Sequence, residues 1–423
     1  MDAPSRPEAG DLEPALRRRG RRLALLSHPA GMMHSNVYTD QLPTLALVGL
    51  GASEAVVGLQ RAFDPLCELL QLPTLRAVGR LPKRRILVAG QLLAVAAGLP
   101  LVAYAWLAAS RLAVPIALAS LGATSIGLAI SNTVWFPLLR GYVEPSRIGA
   151  FFGLLRSGWH LTLIAYFLAA QRWLAAEPGG FGALFAVATG AGLLRVALVS
   201  RLPEAAASSG ERVRARDAVA LLRDDRRLRS YLAAMMLAGG ARRAALPFAI
   251  VLMRRAMGMS DAQVVLTTVS WFAGGFASLY AWGVAVDRVG VGPVFRICAL
   301  GAAGLFALLA IAAPDGSALR AAGGPLPFMA AFFFAGSVLA AGYGVADTHA
   351  LFAIAPERAP TATLVVADVT TSLAYGAAPL LAGVALDAAI RLGAEPLAAY
   401  RALFALAAAG TALALVPLRR LLR

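Results

Sequence analysis

Long apolar segments separated by short charged stretches are the feature that most constrains this chain. A segment of about 20 apolar residues is long enough to cross a hydrocarbon core of about 30 Å as a helix. Such segments occupy residues 23–47, 55–75, 86–107, 112–139, 148–170, 181–198, 231–253, 262–286, 294–313, 326–354, 363–385 and 398–416. Only 15% of the residues are charged, against roughly 25% in soluble domains. The sequence therefore predicts an all-α, polytopic membrane protein with about twelve transmembrane helices.

The positions of the basic residues give this protein an expected orientation. Its formal net charge of +16 would by itself be compatible with nucleic-acid binding. When both termini are placed on one side of the membrane, however, the flanks on that side hold most of the 39 basic residues. Basic flanks are typical of the cytoplasmic side. We therefore predict a multi-pass protein of the cytoplasmic (inner) membrane with both termini cytoplasmic, in contact with the lipid bilayer and not with nucleic acid.

An internal repeat divides the chain. "GASEAVVGL" at residues 51–59 is followed 207 residues later by "GMSDAQVVL" at residues 258–266. In each copy a serine, Ser53 or Ser260, is followed at once by an acid. A serine hydroxyl accepts from free N–H groups of a first helical turn, and an acid there meets the positive end of the helix dipole. Both nonapeptides are therefore predicted to begin equivalent helices, the second and eighth spans.

The repeat and the polar stretch between its copies predict the domain organisation. We expect a disordered cytoplasmic N-terminus, an N-terminal six-helix bundle, a cytoplasmic linker with a short amphipathic helix, a C-terminal six-helix bundle and a cytoplasmic tail. In that order they occupy residues 1–20, 21–202, 203–229, 230–418 and 419–423.

One loop carries a family resemblance. "GVAVDRVG" resembles the G-x-x-x-D-R-x-G loop signature of the major facilitator superfamily, with Gly283, Asp287 and Arg288 at its main positions. The corresponding loop of the first half has Arg80 but carries Gly79 where the acid is expected. The resemblance implies two pseudo-symmetric bundles that alternate in access, with Arg80 and the signature residues acting as a conformational gate. An ordinary solvated turn is the alternative reading of these charges.

The second span contains charges on one face. Arg61, Asp64 and Glu68 are spaced by three and four residues, which places them along one side of a helix. A charge near the bilayer centre costs about 2.5–3.5 kcal/mol on insertion scales. We expect Arg61 and Asp64 to neutralise each other along the helix, which leaves Glu68 without a local partner and able to bind and release a proton. The alternative is a structural ion pair that locks two helices.

Further candidates lie in the fifth, tenth and eleventh spans. Arg156 and His160 of the fifth span lie at a depth similar to that of Asp368 in the equivalent eleventh span. Arg156 and Asp368 are predicted either to form a structural bridge or to bind a zwitterionic solute between them. Asp347 of the tenth span is a further candidate for proton coupling, as are Asp64 and Asp368. His349 of the tenth span is a further candidate for solute binding, as are Arg61 and His160. An isolated membrane histidine is more often a packing residue than a proton relay.

The first and seventh spans are interrupted by polar residues and proline at corresponding places. Interruptions of this kind are the best sequence pointer to a transporter binding site. Asn36 and Asp40 fall in the first interruption, and Arg242 and Arg243 fall in the second. Adjacent arginines on a helix point in different directions. We expect one to face the cavity and the other to face a lipid headgroup or a cytoplasmic partner.

Enzyme chemistry is not indicated. The sequence has no phosphate-binding glycine loop, no nucleophile–histidine–acid set in a soluble region, and no cysteine or histidine cluster at metal spacing. We predict no enzyme activity, no cofactor and no bound metal. The predicted function is secondary active transport of a small polar solute, anionic or zwitterionic, by a monomeric symporter coupled to protons or to sodium. The alternative is a non-transporting assembly or delivery factor that acts through a protein partner.

Overall fold

A computed structural model describes residues 12–71, 73–74, 81–143, 148–204, 223, 225–312, 323–354 and 360–421. Regular structure in these ranges is helical. The helices of the first half are α1 (Pro14–Thr39), α2 (Gln41–Gly49), α3 (Glu54–Glu68), α4 (Lys83–Val102), α5 (Tyr104–Ala108), α6 (Ala113–Arg140), α7 (Ile148–Ala176) and α8 (Phe181–Val199). Those of the second half are α9 (Arg226–Arg255), α10 (Asp261–Val289), α11 (Val291–Ala312), α12 (Pro325–Ile354), α13 (Pro360–Arg391), α14 (Pro396–Leu413) and α15 (Leu415–Leu421).

The first predicted span is two helices rather than one. Asp40 separates α1 from α2, because its backbone leaves the helical region at φ −100 and ψ −127. At its other end α1 begins at Pro14, inside the segment expected to be disordered, and proline suits a first helical position. Residues 1–11 lie outside the described residues. The structure therefore extends the first helix toward the N-terminus and breaks it beside a charged side chain.

The helices differ in how well their composition suits lipid. Nine helices in the described part of the chain are long and apolar enough to cross a membrane. The three predicted spans outside this set correspond to α1 with α2, to α3, and to α7. Within the second predicted span, residues 55–75, α3 ends at Glu68 after 15 residues. These three spans also carry many of the charged candidates, so polarity is concentrated where the sequence predicts the site.

The packing of the two halves repeats. Helix α4 packs on α6 as α11 packs on α12, and α1 packs on α8 as α9 packs on α14. Between the halves, α3 packs on α13 in the same way that α10 packs on α7. In each comparison, the two contacts are made by equivalent spans, where a span of the first half is equivalent to the span six places later in the second half. The fold is therefore two pseudo-symmetric six-helix bundles.

The segment between the halves is only partly described. Helix α9 begins at Arg226, inside the predicted linker, and Asp225 caps it by accepting from the backbone N–H groups of Arg227 and Leu228 at 2.8 and 3.0 Å. The predicted amphipathic linker helix lies within residues 217–232, of which 217–222 and 224 lie outside the described residues and 226–232 belong to α9. The domain boundaries remain predictions.

The apolar core is distributed unequally between the two membrane sides. We call the side where α1 begins the terminal side, and the side where α3 and α10 begin the far side. On the far side one core cluster contains residues of both halves, such as Phe185 and Phe248. Toward the terminal side each half has its own cluster, with Trp135 in one and Tyr231 in the other. Apolar contact between the halves is therefore concentrated on the far side.

Candidate functional site

The break between α1 and α2 holds an ion pair. Arg61 of α3 lies 3.3 Å from the Asp40 carboxylate and donates to the Thr39 carbonyl at 2.6 Å. The carbonyl is available because helix ends leave backbone groups without intrahelical partners. Arg61 thus makes its direct ion pair with the first span, while it also acts electrostatically on Asp64 of its own helix, as expected. The pair ties α3 to the break in the first span.

Asp64 faces the second half of the molecule. Its electrostatic neighbours are Arg243, Arg61 and Asp40. Arg243 projects from α9, and its guanidinium carbon lies 4.9 Å from the ring centroid of Tyr375 on α13. Such an arrangement is a cation–π contact, which holds the guanidinium in place without neutralising it. Arg243 is therefore the member of the arginine pair that reaches the space between the halves.

Glu68 contacts the second half directly. Its carboxylate accepts a hydrogen bond from the buried hydroxyl of Ser372 at 2.9 Å. It also interacts electrostatically with Asp64, Asp368 and Arg243. Glu68 has no partner on its own helix, as expected, but it does have one on α13, which the sequence did not indicate. Because the Ser372 hydroxyl is neutral, the counter-charge that acts on Glu68 is Arg243.

Four elements thus bring their charges together between the halves. Asp40 belongs to the break in the first span, α3 supplies Arg61, Asp64 and Glu68, and α9 and α13 supply Arg243 and Asp368. We call these six residues the central site. Its four acids outnumber its two arginines, so the site is acidic when all groups are ionised.

Two fifth-span candidates lie elsewhere. His160 bonds through a ring nitrogen with the Arg156 carbonyl at 2.8 Å, and its ring centroid lies 3.8 Å from that of Trp159. It is buried opposite Gly275, where α7 packs on α10. The structure thus places it as a packing residue. Arg156 is exposed, and no Arg156–Asp368 ion pair occurs among the described residues.

Arg242 points into the interior of the second bundle. Its guanidinium carbon lies 5.3 Å from the Tyr343 ring centroid, and its side chain lines a small cavity with Cys298 and Thr411. Arg242 is therefore the member of the arginine pair that faces the interior of its own bundle. Nearby, the Tyr231 hydroxyl donates to Asp347 at 2.5 Å.

The remaining predicted residues are placed as follows. The Asn36 amide donates to the Met32 carbonyl of its own helix at 2.8 Å, and His349 is exposed on α12. Asp287 and Arg288 are exposed near the end of α10, and Gly283 faces open space. Arg80 lies outside the described residues. A gate role for this loop stays a prediction.

The halves are joined on the far side by a group that sequence reasoning missed. Arg255 of α9 contacts the Glu54 carboxylate at 2.5 Å and also donates to the Ala52 carbonyl. The Tyr400 hydroxyl of α14 donates to the same carboxylate at 2.7 Å. We call Glu54, Arg255 and Tyr400 the far-side gate. Its only signal in the sequence was the acid after Ser53, which was interpreted as a dipole contact.

Close backbone contact reinforces this closure. A Cβ on Gly58 of α3 would collide with the Pro379 carbonyl of α13, and one on Gly383 would collide with the Glu54 carbonyl. Backbone atoms cannot move aside as a flexible side chain can. The two helices therefore touch only because both positions are glycine. Thr268 adds a further bond between the halves, to Gln41 at 2.6 Å.

Solved structures with similar architecture identify the fold. A POT family transporter in complex with 5-aminolevulinic acid matches with a TM-score of 0.72 and 14% identity, over 95% of this chain and 97% of that chain. The nucleoside transporter NupG matches with 0.67 and 13%, over 96% and 99%. A bacterial homologue of the iron transporter ferroportin in an inward-facing state matches with 0.67 and 15%, over 96% and 98%.

These likenesses are in structure rather than in sequence. No protein-family model and no curated protein sequence matches the chain. The architecture is nevertheless the major facilitator fold of these three proteins, which confirms the predicted fold of a multi-pass membrane protein. The three structures are those of transporters.

Proposed function

We propose that this protein is a secondary active transporter that moves a small zwitterionic solute together with a proton by alternating access. The observation that carries the proposal is the central site, where acids and an arginine from both halves meet between the bundles. Ionisable groups are expensive within a membrane and are retained where they face a polar cavity or pathway. A site shared by two rocking bundles changes shape when they move, as solute transport requires.

The charge balance of the central site favours a zwitterion over a simple anion. Asp40 and Arg61 form an ion pair, which leaves Asp64 and Glu68 facing Arg243, with Asp368 acting on Glu68. A carboxylate of the solute would bind Arg243, whose planar fork suits that group. The remaining acids suit an ammonium group. One structure with this fold binds 5-aminolevulinic acid, which carries both groups and is therefore the first probe to use.

Glu68 is the proposed proton carrier. It touches the opposite half through one neutral hydroxyl, that of Ser372. Two other acids, Asp64 and Asp368, act on it electrostatically. Protonation would relieve repulsion among these acids, and a protonated Glu68 could donate to Ser372. Proton binding at this position would therefore alter both the charge offered to the solute and the contact between α3 and α13. Sodium is the alternative coupling ion.

The far-side gate supports the proposed transport cycle. With Glu54, Arg255 and Tyr400 joined, access to the central site would come from the terminal side, where each half has its own core. Release of the gate would open the opposite route. The basic flanks support the assignment of the terminal side to the cytoplasm.

Uptake by proteoliposomes tests the proposal. Radiolabelled 5-aminolevulinic acid would first be supplied to the wild-type protein under an imposed pH gradient, and a set of amino acids and short peptides would follow. For a transported solute, we expect Glu68→Gln to lower pH-driven uptake about tenfold or more, the scale of a coupling free energy between two ligands. Solute exchange without a gradient should survive in this variant. Asp64→Asn should lower both activities.

The control is Glu395→Gln, which removes an exposed acid outside the central site. It should transport like the wild type. Unchanged pH-driven uptake in both Glu68→Gln and Asp64→Asn would contradict proton coupling through this site, and uptake that follows a sodium gradient alone would replace the proton with sodium. If no solute is transported and the protein instead co-purifies with a stable partner, the assembly-factor alternative is correct.

A further inference from the structure

The interior of the first bundle contains a buried cation that the proposed transport does not use. Arg195 of α8 is only 2% exposed. Its guanidinium carbon lies 5.0 Å from the ring centroid of Trp135 on α6. Within the described residues it has neither a hydrogen bond nor a carboxylate partner. A buried charge without a counter-charge is strongly unfavourable, so its retention calls for a partner.

Polar side chains surround this guanidinium. His28 of α1 stacks on Trp135 with ring centroids 5.7 Å apart, and His34 lies within hydrogen-bonding distance of Gln91, at 3.1 Å. Both histidines interact electrostatically with Arg195. Several buried polar atoms here have no hydrogen-bond partner among the described residues: Arg195 Nε, Trp135 Nε1, Ser131 Oγ, His28 Nδ1, His34 Nε2 and Gln91 Oε1.

Most of these atoms are able to donate hydrogen bonds. A guanidinium and an indole nitrogen can only donate, whereas a serine hydroxyl and an imidazole nitrogen can do so in a suitable rotamer or tautomer. Only the glutamine oxygen is an obligate acceptor. A buried site with one fixed positive charge, several unused donors and no described carboxylate is complementary to an anion. A cation or a metal would find no ligand set of matching charge there.

The close packing limits the size of that anion. A Cβ on Gly31 would collide with the Arg195 guanidinium, and one on Gly192 would lie 2.7 Å from the His34 ring. The two side chains thus fill the space that these glycines leave open. Packing this close favours a small monatomic anion over a polyatomic one such as phosphate or a carboxylate solute.

From these observations we infer that the first bundle binds a chloride ion beside Arg195, with Trp135 and Ser131 as further donors. The ion neutralises the guanidinium and links α6 and α8 from within. It is independent of the solute site, because these side chains belong to the interior of one bundle. The second bundle has no equivalent arginine at this position. Its "ALFA" segment at 402–405 aligns with the "ALFA" segment at 183–186, and in this alignment Ala414 occupies the position of Arg195.

Thermal unfolding of the purified full chain in detergent tests the site. Sodium chloride is compared with sodium gluconate at equal ionic strength, since gluconate is too large for the space. We expect chloride to raise the wild-type melting temperature by a few degrees along a saturable curve, as for any ligand that binds only the folded state. Arg195→Leu should abolish the response. Trp135→Phe, which keeps the ring but removes the donor, should weaken the apparent affinity about tenfold.

Arg242→Leu is the matched control, because it removes an arginine from the interior of the other bundle, and it should keep the chloride response. Crystals soaked in bromide provide a direct second readout, with an anomalous peak expected within about 3.5 Å of an Arg195 nitrogen. The proposal is overturned if the wild-type melting temperature is equal in both salts, or if only water occupies the position beside Arg195. Should Arg195→Leu fail to fold, Trp135→Phe and the bromide map decide the matter.

Discussion

The helix starts at Ser53 and Ser260 have almost the same sequence but make different contacts. Both are preceded by a glycine with positive φ, 82° at Gly51 and 64° at Gly258. Ser260 forms a reciprocal cap with Gln263, whereas Ser53 makes no side-chain cap and has Val56 in the place of that glutamine. A shared turn therefore leads into two differently stabilised helices.

The acids that follow these serines differ as well. Asp261 pairs with Arg254 of its own half at 2.6 Å, whereas Glu54 pairs with Arg255 of the other half. The acid of the second copy thus stabilises a turn within its own half, and the acid of the first copy joins the two halves on the far side. The comparison teaches that a repeat conserves backbone geometry, while a single side chain decides whether the acid acts within one bundle or between two.

Breaking the close approach beside the Ser53 start should have the largest effect. In Gly58→Ala the new Cβ meets the Pro379 carbonyl, so α3 and α13 cannot stay in contact. We expect the halves to separate on the far side, measured as a longer distance between spin labels at Leu112→Cys and Leu392→Cys, two exposed positions. Gly153→Ala, where a Cβ meets nothing within 4 Å, is the control. An unchanged distance distribution in Gly58→Ala would show that the contact does not hold the closed state.

Neutralising the two arginines should have an intermediate and unequal effect. Arg255→Gln removes the charge that joins Glu54 across the halves, and we expect the population open on the far side to rise about fivefold to tenfold. Arg254→Gln breaks a pair within one half and should change that population less than about twofold. The same spin-label pair reports both. Equal responses of the two variants would mean that the far-side gate is no more than a surface ion pair.

Removing the two serine hydroxyls should have the smallest effect. Ser260→Ala loses the cap on the Gln263 backbone N–H, which typically costs about 1 kcal/mol. A loss of that size lowers the melting temperature by roughly 2–4 °C in a domain of about 200 residues. Ser53→Ala should have a shift near zero, because Ser53 makes no cap bond. A larger loss for Ser53→Ala would reverse this order and indicate a cap that forms in another conformation.

Hydropathy and periodicity predicted the fold well, because a membrane helix must satisfy its backbone internally and present apolar side chains to lipid. The second span shows where this reasoning ends. Helical spacing placed Arg61, Asp64 and Glu68 on one face, but it could not say that Arg61 would reach Asp40 or that Glu68 would meet Ser372. Such pairings depend on how separate helices pack, which a local pattern does not contain.

The buried polar group of the first bundle was missed for a related reason. His34, Gln91 and Arg195 each lie in a different apolar segment, where a single polar residue has no specific interpretation. A signal was present, because a lone arginine within "GLLRVALV" is expensive in lipid. Only the packing of α1, α4 and α8 shows that the polar residues lie in one interior.

The unequal distribution of the apolar core has a thermal consequence. When the far side opens, water must wet side chains that both halves now share, such as Phe185 and Phe248. The free-energy cost of exposing apolar surface to water falls on cooling. The free energy of an ion pair such as Glu54–Arg255 does not share this temperature dependence. Cooling would thus weaken the apolar contact between the bundles but not the ion pair between them. A cold-adapted relative could change the balance between its two conformations by replacing shared phenylalanines with smaller residues.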